Sequence, residues 1–298
     1  MENSTVPAFT PSPEYILHRR FDRMGRLVGD ESMTQLFNSH VMILGMGGVG
    51  SWAAESLARS GVGKITLVDH DEICITNANR QLHALQGFVG QKKAQVMADR
   101  LKKINPQAKI QVVAEFYNKD TSEKILAMKP DYILDAIDNL TAKTHLLNEC
   151  RINHLKVITS TGASAKWDPT RIRIVDLADT VVDPLAHSLR KILRQEYNFP
   201  RKGQFGVPCV FSDEVPSEPI ELKYDKGEGF KCVCPQGAID PHGCLHRSVI
   251  YGTASFVTGA FGLAMASWVV RNIAQPKQQA AIPVQKTENI ERSLEVLQ

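Results

Sequence analysis

Short apolar runs that alternate with segments of helical spacing are the feature that most constrains the fold of this chain. The runs lack the polar alternation of a half-exposed strand, so they are typical of strands buried on both faces of a parallel sheet. The predicted strands are residues 40–44, 64–69, 109–113, 132–136 and 156–160. The predicted helices between them begin near Gly50, Gln91, Thr121 and Asn139.

The second half of the chain departs from this regular alternation. We predict a strand at residues 171–176 and a helix at 184–197. Residues 200–243 are rich in Pro and Gly and have no clear period, which predicts a long crossover loop or insertion. The complete pattern predicts an α/β fold built on a doubly wound, Rossmann-like, mostly parallel sheet.

The predicted domain boundaries lie where the apolar pattern stops. With 298 residues, 43% of them hydrophobic, the chain can bury a sizeable core, which excludes wholesale disorder. We expect flexible ends at residues 1–14 and 273–298 around one domain at 15–272 that contains the insertion at about 200–243. The N-terminus lacks the features of a secretory signal, so we expect a cytoplasmic protein.

The cysteines predict reduced thiols. Six cysteines are too few for a disulfide framework in a chain of this length, and there is no Cys-x-x-Cys pair. Cys232 and Cys234, with His242, Cys244 and His246, do not have the spacing of a tetrathiolate zinc site, so we expect loop or buried cysteines rather than zinc. The sequence does not indicate whether a monovalent cation is required.

One uncharged stretch leaves two interpretations open. Residues 248–270 are long enough to cross a bilayer. Small residues at Gly252, Ser255, Gly259 and Gly262 would let another backbone approach one face of such a helix. Because the predicted sheet needs helices on both faces, we expect a buried core or subunit-interface helix. Membrane association through 248–270 is the alternative.

A glycine-rich turn follows the first predicted strand and precedes a predicted helix. Its residues Gly45, Gly47, Gly48 and Gly50 would let phosphate approach the backbone, and amides at the start of a helix favour an anion. The turn fits the pattern Gly-x-Gly-x-x-Gly but lacks the Lys-Ser/Thr pair of a P-loop. The segment therefore predicts a nucleotide site.

Polar residues after the next strands favour ATP over a dinucleotide. Asp69 ends the second predicted strand, where an acid would hold ribose hydroxyls. Arg80 and Lys93 supply the positive charge that a departing pyrophosphate needs. The candidate nucleotide-binding residues, besides the glycines, are Asp69, Asp71, Asn77, Arg80, Gln81, Lys93, Asp138 and Asn139. A nicotinamide oxidoreductase remains an alternative at this stage.

The carboxyl end of the fourth predicted strand offers a candidate metal ligand. Asp138 could hold Mg²⁺ through a carboxylate oxygen. The alternative is that Asp138 or Asn139 only caps the following helix.

Five motifs resemble, in order and spacing, the ubiquitin-activating-enzyme-like adenylyltransferase superfamily. They are Gly45 to Ser51, Asp69 to Asp71, Asn77 to Gln81, Gly90 to Lys93, and Asp135-x-x-Asp138-Asn139. The resemblance implies a homodimer that activates a carboxylate as an acyl adenylate, with ATP and Mg²⁺. It also implies that Arg80, Lys93 and Asp138 act in catalysis and that Arg23 reaches the nucleotide of the partner subunit. A solvated basic helix is the alternative for Arg23.

Within this superfamily the chain is similar to the tRNA threonylcarbamoyladenosine dehydratase branch. The likeness rests on the segments SWAAESLARSGVG, TSTGASAKWDPTRI, KCVCPQG and HRSVIYGTASFVTGAFG. It implies that the threonyl carboxylate of the modified tRNA is adenylated and then cyclises with loss of AMP. The alternative is adenylation of the C-terminus of a ubiquitin-like sulfur-carrier protein, with sulfur-relay proteins as partners. Cys234 is a candidate thiol relay, and the alternative is that it is a structural loop thiol.

A tRNA substrate requires a local basic surface, because the net charge of the chain is only +3. Candidate tRNA-binding residues are Arg190, Lys191, Arg194, Arg201 and Lys202. A solvated charged face is the alternative. The sequence shows no aromatic base-reading motif, so we expect recognition of RNA shape together with the modified nucleoside.

Overall fold

The structure is a computed structural model that describes residues 19–220, 222 and 251–274. Its strands are β1 His40–Leu44, β2 Lys64–Val68, β3 Lys109–Val113, β4 Tyr132–Asp135, β5 Val157–Ser160, β6 Ile172–Asp176 and β7 Pro208–Ser212. They form one sheet in the order β3-β2-β1-β4-β5-β7-β6. Every neighbouring pair is parallel except β6 and β7. The predicted mostly parallel sheet is confirmed.

Helices cover both faces of this sheet. They are α1 Asp22–Asn38, α2 Gly50–Arg59, α3 Lys93–Ile104, α4 Lys119–Leu126, α5 Leu140–Ile152, α6 Pro184–Glu196 and α7 Ser255–Ala274. Val41 and Ile43 of β1 pack in one core with α1, α2, α3 and α7. Met42 and Leu44 point to the other face and pack with α4, α5 and α6. The fold is therefore doubly wound, as predicted.

Side-chain caps explain where two helices begin. The Asn118 side chain accepts hydrogen bonds from the amides of Asp120 and Thr121, so α4 begins before the predicted start at Thr121. The Asn139 side chain accepts a hydrogen bond from the amide of Ala142, so α5 begins directly after it. Each cap satisfies amides that the first helical turn cannot bond itself.

The prediction of an aperiodic stretch at 200–243 is wrong for residues 208–212. These residues form β7, which lies between β5 and β6 in the sheet. Cys209, Val210, Phe211 and Ser212 are all buried, so the strand shows no alternation of polar and apolar residues. Gly206 and Pro208 at its start favoured the loop interpretation. Residues 223–243 lie outside the described residues.

The uncharged stretch forms α7, which starts at Ser255 and ends two residues beyond the predicted domain boundary at 272. Within the described residues it is the one helix long and apolar enough to cross a membrane, and half of it is buried in the fold. A β-carbon at Gly262 would lie 2.3 Å from the carbonyl oxygen of Val49, and one at Gly259 would lie 3.3 Å from the Trp52 ring. The close backbone approach is therefore made to α2 of the same chain.

Gly252 does not belong to this small-residue face. It precedes the helix, and a β-carbon there would have no atom within 4 Å. The predicted stripe is thus correct at Gly259 and Gly262 and wrong at Gly252.

The carboxyl ends of β1 and β4 meet at the centre of the sheet. These strands are neighbours, while the helices that follow them, α2 and α5, lie on opposite faces. Ligands of open α/β sheets bind at such a switch point. The loops after β1 and β4 are consequently the place to look for a site.

Candidate nucleotide site

The loop after β1 is a tight turn that requires glycine at its first and last positions. Gly45 has φ +92°, and a β-carbon there would lie 2.6 Å from the carbonyl oxygen of Ala136. A β-carbon at Gly50 would lie 1.8 Å from the carbonyl oxygen of Gly45. A β-carbon at Gly47, in contrast, would meet no atom within 4 Å, so the middle of the turn is open.

Asp69 ties this turn to the end of β2. The amide of Met46 donates a hydrogen bond of 2.5 Å to Asp69 Oδ2, and the amide of Asp71 donates one of 2.7 Å to Oδ1. Burial raises the pKa of the Asp69 carboxyl, against the opposing influence of the positively charged Lys93. Each carboxylate oxygen has a second lone pair. Contact with ribose hydroxyls therefore remains a prediction for Asp69, beside its observed role in shaping the turn.

Lys93 presents a buried positive charge at the same place. Its Nζ lies 2.6 Å from Asp71 Oδ2, and only 9% of its side chain is exposed. Burial alone would lower the pKa of Lys93, but the carboxylates of Asp69, Asp71 and Asp138 raise it above its usual value. The ammonium thus keeps its proton at neutral pH. His70 Nε2 lies 3.2 Å from the other oxygen of Asp71.

Arg80 lies against the glycine turn. A β-carbon at Gly48 would be 3.2 Å from Arg80 Cγ and 3.1 Å from Thr258 Cβ. The indole Nε1 of Trp52 donates a hydrogen bond of 3.1 Å to the carbonyl oxygen of Arg80, and Arg80 Nη1 donates to the carbonyl oxygen of Thr76 at 3.0 Å. Arg80, which we predicted to contact a triphosphate, therefore lies beside the turn.

Asn77 and Gln81 are both buried beneath this region. Asn77 Oδ1 accepts a hydrogen bond of 3.0 Å from the amide of Cys74 and so shapes the short 3-10 helix at Ile75–Asn77. Gln81 Oε1 has no hydrogen-bond partner in the described part of the chain. Asn77 thus stabilises the loop conformation, while the side-chain oxygen of Gln81 can still accept a hydrogen bond.

Asp138 and Asn139 have different roles. Asn139 caps α5, which confirms the capping interpretation for this residue. Asp138 is exposed, and its charge contributes to the raised pKa of Lys93, so it faces the site.

The donor atoms present fit Mg²⁺ best at Asp138. Asp69, His70 and Asp71 also bring ligand atoms within 4.8 Å of one another. However, both oxygens of Asp69 accept backbone amides, and Asp71 pairs with Lys93 and His70. A hard cation prefers carboxylate and phosphate oxygens with water, and exposed Asp138 offers such an oxygen beside the turn.

Arg23 does not lie near the glycine turn of its own chain. It is exposed and follows Phe21, whose ring would lie 3.7 Å from a β-carbon at Gly61, just beyond the C-terminal end of α2. The 10 residues of α2 begin at the turn, which puts Phe21, two residues before Arg23, about 15 Å along the helix from Gly50.

The predicted tRNA-binding cations differ in how they are engaged. Arg190 donates a hydrogen bond to the Thr180 hydroxyl, and Arg194 lies over the Phe205 ring at 5.0 Å. Lys191, Arg201 and Lys202 are exposed. The predicted relay residue Cys234 and the remaining candidates for zinc lie outside the described residues, whereas Cys74, Cys150 and Cys209 are buried and form no disulfide among the described residues.

Thr258 and His83 are site residues that the sequence did not single out. Thr258 is in a helix 210 positions from the turn that it contacts, so no local pattern indicates it. His83 is 1% exposed and follows Gln81 closely. Its position two residues after Gln81 was the available signal.

Comparison with known proteins places this geometry in a family. The ThiF family model matches residues 21–296. The chain is similar to tRNA threonylcarbamoyladenosine dehydratase of Escherichia coli (strain K12), with 39% identity over 257 residues, which is 86% of this chain and 93% of that protein. Crystal structures of that E. coli enzyme in complex with AMP and with ATP are 37% identical and cover 86% of this chain and 94% of theirs, with TM-scores of 0.74 and 0.73.

An adenylyltransferase with a different name matches less of the chain. Molybdopterin-synthase adenylyltransferase of Haemophilus influenzae is 31% identical over 140 residues, which is 46% of this chain and 56% of that protein.

Proposed function

Because the chain belongs to the ThiF family and, within it, to the tRNA threonylcarbamoyladenosine dehydratases, we propose that it cyclises threonylcarbamoyladenosine in tRNA with consumption of ATP. The threonyl carboxylate attacks the α-phosphorus of ATP, which forms an acyl adenylate and releases pyrophosphate. The carbamoyl group of the same side chain then attacks the acyl carbon and releases AMP. Because this nucleophile is already in the substrate, its effective concentration is high.

The observation that carries this proposal is the buried ammonium of Lys93 paired with Asp71, together with Arg80 against the glycine turn at Gly48. Negative charge builds on the departing pyrophosphate during adenylation, and donors fixed in advance stabilise it most effectively. The Asp71 carboxylate fixes the Lys93 ammonium before the nucleotide arrives. The crystal structures of the E. coli relative hold ATP and AMP, the substrate and product of such a reaction.

Asp138 would hold Mg²⁺ in the proposed reaction. Bound there, the ion would neutralise charge on the phosphates. The support is the exposed position of the carboxylate after β4, close enough to Lys93 to affect its pKa.

Pyrophosphate exchange tests the proposed activity. We expect labelled pyrophosphate to enter ATP only when tRNA carrying threonylcarbamoyladenosine is present. Exchange that depends instead on a ubiquitin-like sulfur-carrier protein would support the alternative, which is disfavoured because molybdopterin-synthase adenylyltransferase matches only 46% of this chain.

The active form is a homodimer in this proposal, and two observations support it. Phe21, two residues before exposed Arg23, packs beside the end of α2 that is remote from the turn, which favours a role for the Arg23 guanidinium at the site of another subunit. The side chains of Trp167, Phe256 and Leu263 are 68%, 51% and 47% exposed, and the rings of Trp167 and Phe256 are 6.3 Å apart. Exposed apolar surface of this kind marks an interface.

Mixed dimers test the role of Arg23. Arg23→Ala and Lys93→Ala subunits, each inactive alone, should regain activity when co-assembled, because one site then combines an intact Lys93 with Arg23 from its partner. Mixed dimers that stay inactive would place Arg23 in the site of its own subunit, and full activity of Arg23→Ala alone would place Arg23 outside catalysis.

The proposed location is the cytoplasm. Its support is the packing of α7 on α1 and α2, through the hydrogen bond from Ser32 to the carbonyl oxygen of Ala274 and the close approach at Gly262. Wild-type protein should be recovered without detergent. Protein that remains in the membrane pellet after a high-salt wash would favour membrane association.

A further inference from the structure

Unpartnered buried polar atoms are concentrated in the segment that follows Arg80. Among the described residues, four buried side-chain atoms lack a hydrogen-bond partner, and three of them belong to Gln81 and His83. These are Gln81 Oε1 and both ring nitrogens of His83. A buried polar group without a partner destabilises a fold, so such atoms require an explanation. Gln81 and His83 follow Arg80, which lies against the glycine turn, and this position favours a functional explanation.

The His83 ring is a neutral hydrogen-bond acceptor near a donor. Burial, and then the positive charge of Lys93, lower the pKa of His83 to about 3, so the ring is unprotonated at neutral pH. A neutral imidazole has one nitrogen that can only accept, whereas the Lys93 ammonium can only donate. The ammonium has three N–H groups, and Asp71 Oδ2 takes one of them at 2.6 Å.

We propose that His83 is a positioning residue for Lys93: in the ATP-bound enzyme its ring accepts a hydrogen bond from Lys93 Nζ and directs the remaining N–H groups toward the phosphates. This role rests on the proposed function. The negative charge of a triphosphate competes with Asp71 for the ammonium, and an acceptor on the buried side then limits where Nζ can move. The ring gains its partner only in the complex, so its contribution goes to nucleotide binding and catalysis rather than to folding.

A packing role for His83 predicts a different response to mutation. His83→Leu removes two unpartnered buried nitrogens, which should leave the stability of the ligand-free protein unchanged or raise it. If the ring only fills space, activity stays at the wild-type level. If the ring positions Lys93, activity falls while stability does not. Only the proposal therefore predicts that His83→Leu lowers activity without lowering stability.

The experiment compares wild type, His83→Leu, His83→Asn and His83→Gln. Asn105→Ala serves as the control, since Asn105 also has a buried unpartnered oxygen and lies at the end of α3. The measurements are the melting temperature with and without ATP, and kcat and KM for ATP with modified tRNA. For His83→Leu we expect an unreduced melting temperature without ATP, a smaller increase on adding ATP, and a fall in kcat of about 10- to 100-fold, the effect of one hydrogen bond to a charged group.

The conservative variants identify the accepting nitrogen. His83→Asn places an oxygen near the position of Nδ1, and His83→Gln places one near the position of Nε2. We expect one of the two variants to restore kcat and the other not to. Wild-type kcat, KM and ATP-induced stabilisation in His83→Leu would overturn the proposal. If His83→Leu does not fold, equal kcat in His83→Asn and His83→Gln overturns it.

Failure of the proposed function has a separate signature. Wild type would then show no turnover with modified tRNA, whereas the loss of ATP-induced stabilisation in His83→Leu would still report on the link between His83, Lys93 and the nucleotide.

Discussion

Lys93 Nζ lies 2.6 Å from Asp71 Oδ2, although the two residues are 22 positions apart in the chain. The amide of Lys93 also donates a hydrogen bond of 3.0 Å to the carbonyl oxygen of Asp71, so backbone and side chain fix the pair together. The first residue of α3 is thereby held beside the end of β2. The positive charge that ATP needs is in place before ATP binds.

Removing either cation at the turn should impair catalysis more than folding. We expect Lys93→Ala and Arg80→Ala each to lose about 2 to 4 kcal/mol of transition-state stabilisation, measured as kcat/KM, because each removes a fixed donor for the phosphates. Lys92→Ala is the matched control: Lys92 is adjacent, 43% exposed and paired with Glu72. Near wild-type turnover of Lys93→Ala at saturating ATP would show that its assigned role is wrong.

Two glycines of the turn should respond differently to alanine. At Gly50 the added carbon would lie 1.8 Å from the carbonyl oxygen of Gly45. Gly50→Ala should therefore lower the free energy of unfolding by about 1 to 3 kcal/mol. At Gly47 the carbon would stand in open space, so Gly47→Ala should fold normally and bind ATP more weakly. Calorimetric titration with ATP checks the second result, and unchanged affinity would place the phosphates elsewhere.

The pH dependence of stability should carry a contribution from His83. Its pKa is about 3 in the folded protein, against about 6.5 in an unfolded chain. The unfolding free energy is therefore highest above about pH 6.5 and decreases as the pH falls toward 3, because the unfolded chain takes up the proton first. Between about pH 8 and about pH 5, wild type should lose about 2 kcal/mol more unfolding free energy than His83→Leu. Denaturant unfolding at both pH values measures this difference, and parallel losses would contradict it.

The exposed cations on α6 and just beyond it should contribute to tRNA affinity. Replacing Lys191, Arg201 and Lys202 by Glu should weaken tRNA binding and leave ATP affinity unchanged. For every tRNA phosphate that the variant no longer neutralises, the slope of log affinity against log salt should fall by roughly 0.7 to 0.9. Glu at Lys102 and Lys103, two exposed positions at the end of α3, makes a matched control. Equal slopes in both variants would locate the tRNA elsewhere.

β1, β2, β4 and β5 were predictable because each is a short, mostly apolar run buried on both faces of a parallel sheet, whereas β3 is an edge strand with alternating exposure. For β1 the predicted and observed bounds are identical, and β2 and β4 end one residue earlier than predicted. β7 was missed because five residues between glycine and proline signals resemble a loop, and its burial comes from its neighbours β5 and β6. Pairing with strands distant in sequence therefore determines that these residues form a strand, which their local sequence pattern does not indicate.

The site residues were predictable by type and less so by contact. Spacing indicated a polar nucleotide site with Asp69, Lys93 and Asp138, and it offered the cap at Asn139 as an alternative, but it did not indicate that Asp69 would accept the amide of Met46. The unpartnered ring of His83 was not predictable either, because it depends on how the loop between β2 and α3 folds over Lys93. These features arise from tertiary packing, which a residue pattern does not encode locally.

The mass of the modified nucleoside after reaction is the most direct measure of the proposed activity. The protein is incubated with ATP and tRNA that carries threonylcarbamoyladenosine, and the tRNA is then digested to nucleosides. We expect the modified nucleoside to lose the mass of one water, with one AMP released per nucleoside converted, and we expect Lys93→Ala to abolish both. An unchanged nucleoside mass in the presence of folded wild-type protein that binds ATP would contradict the proposed dehydration.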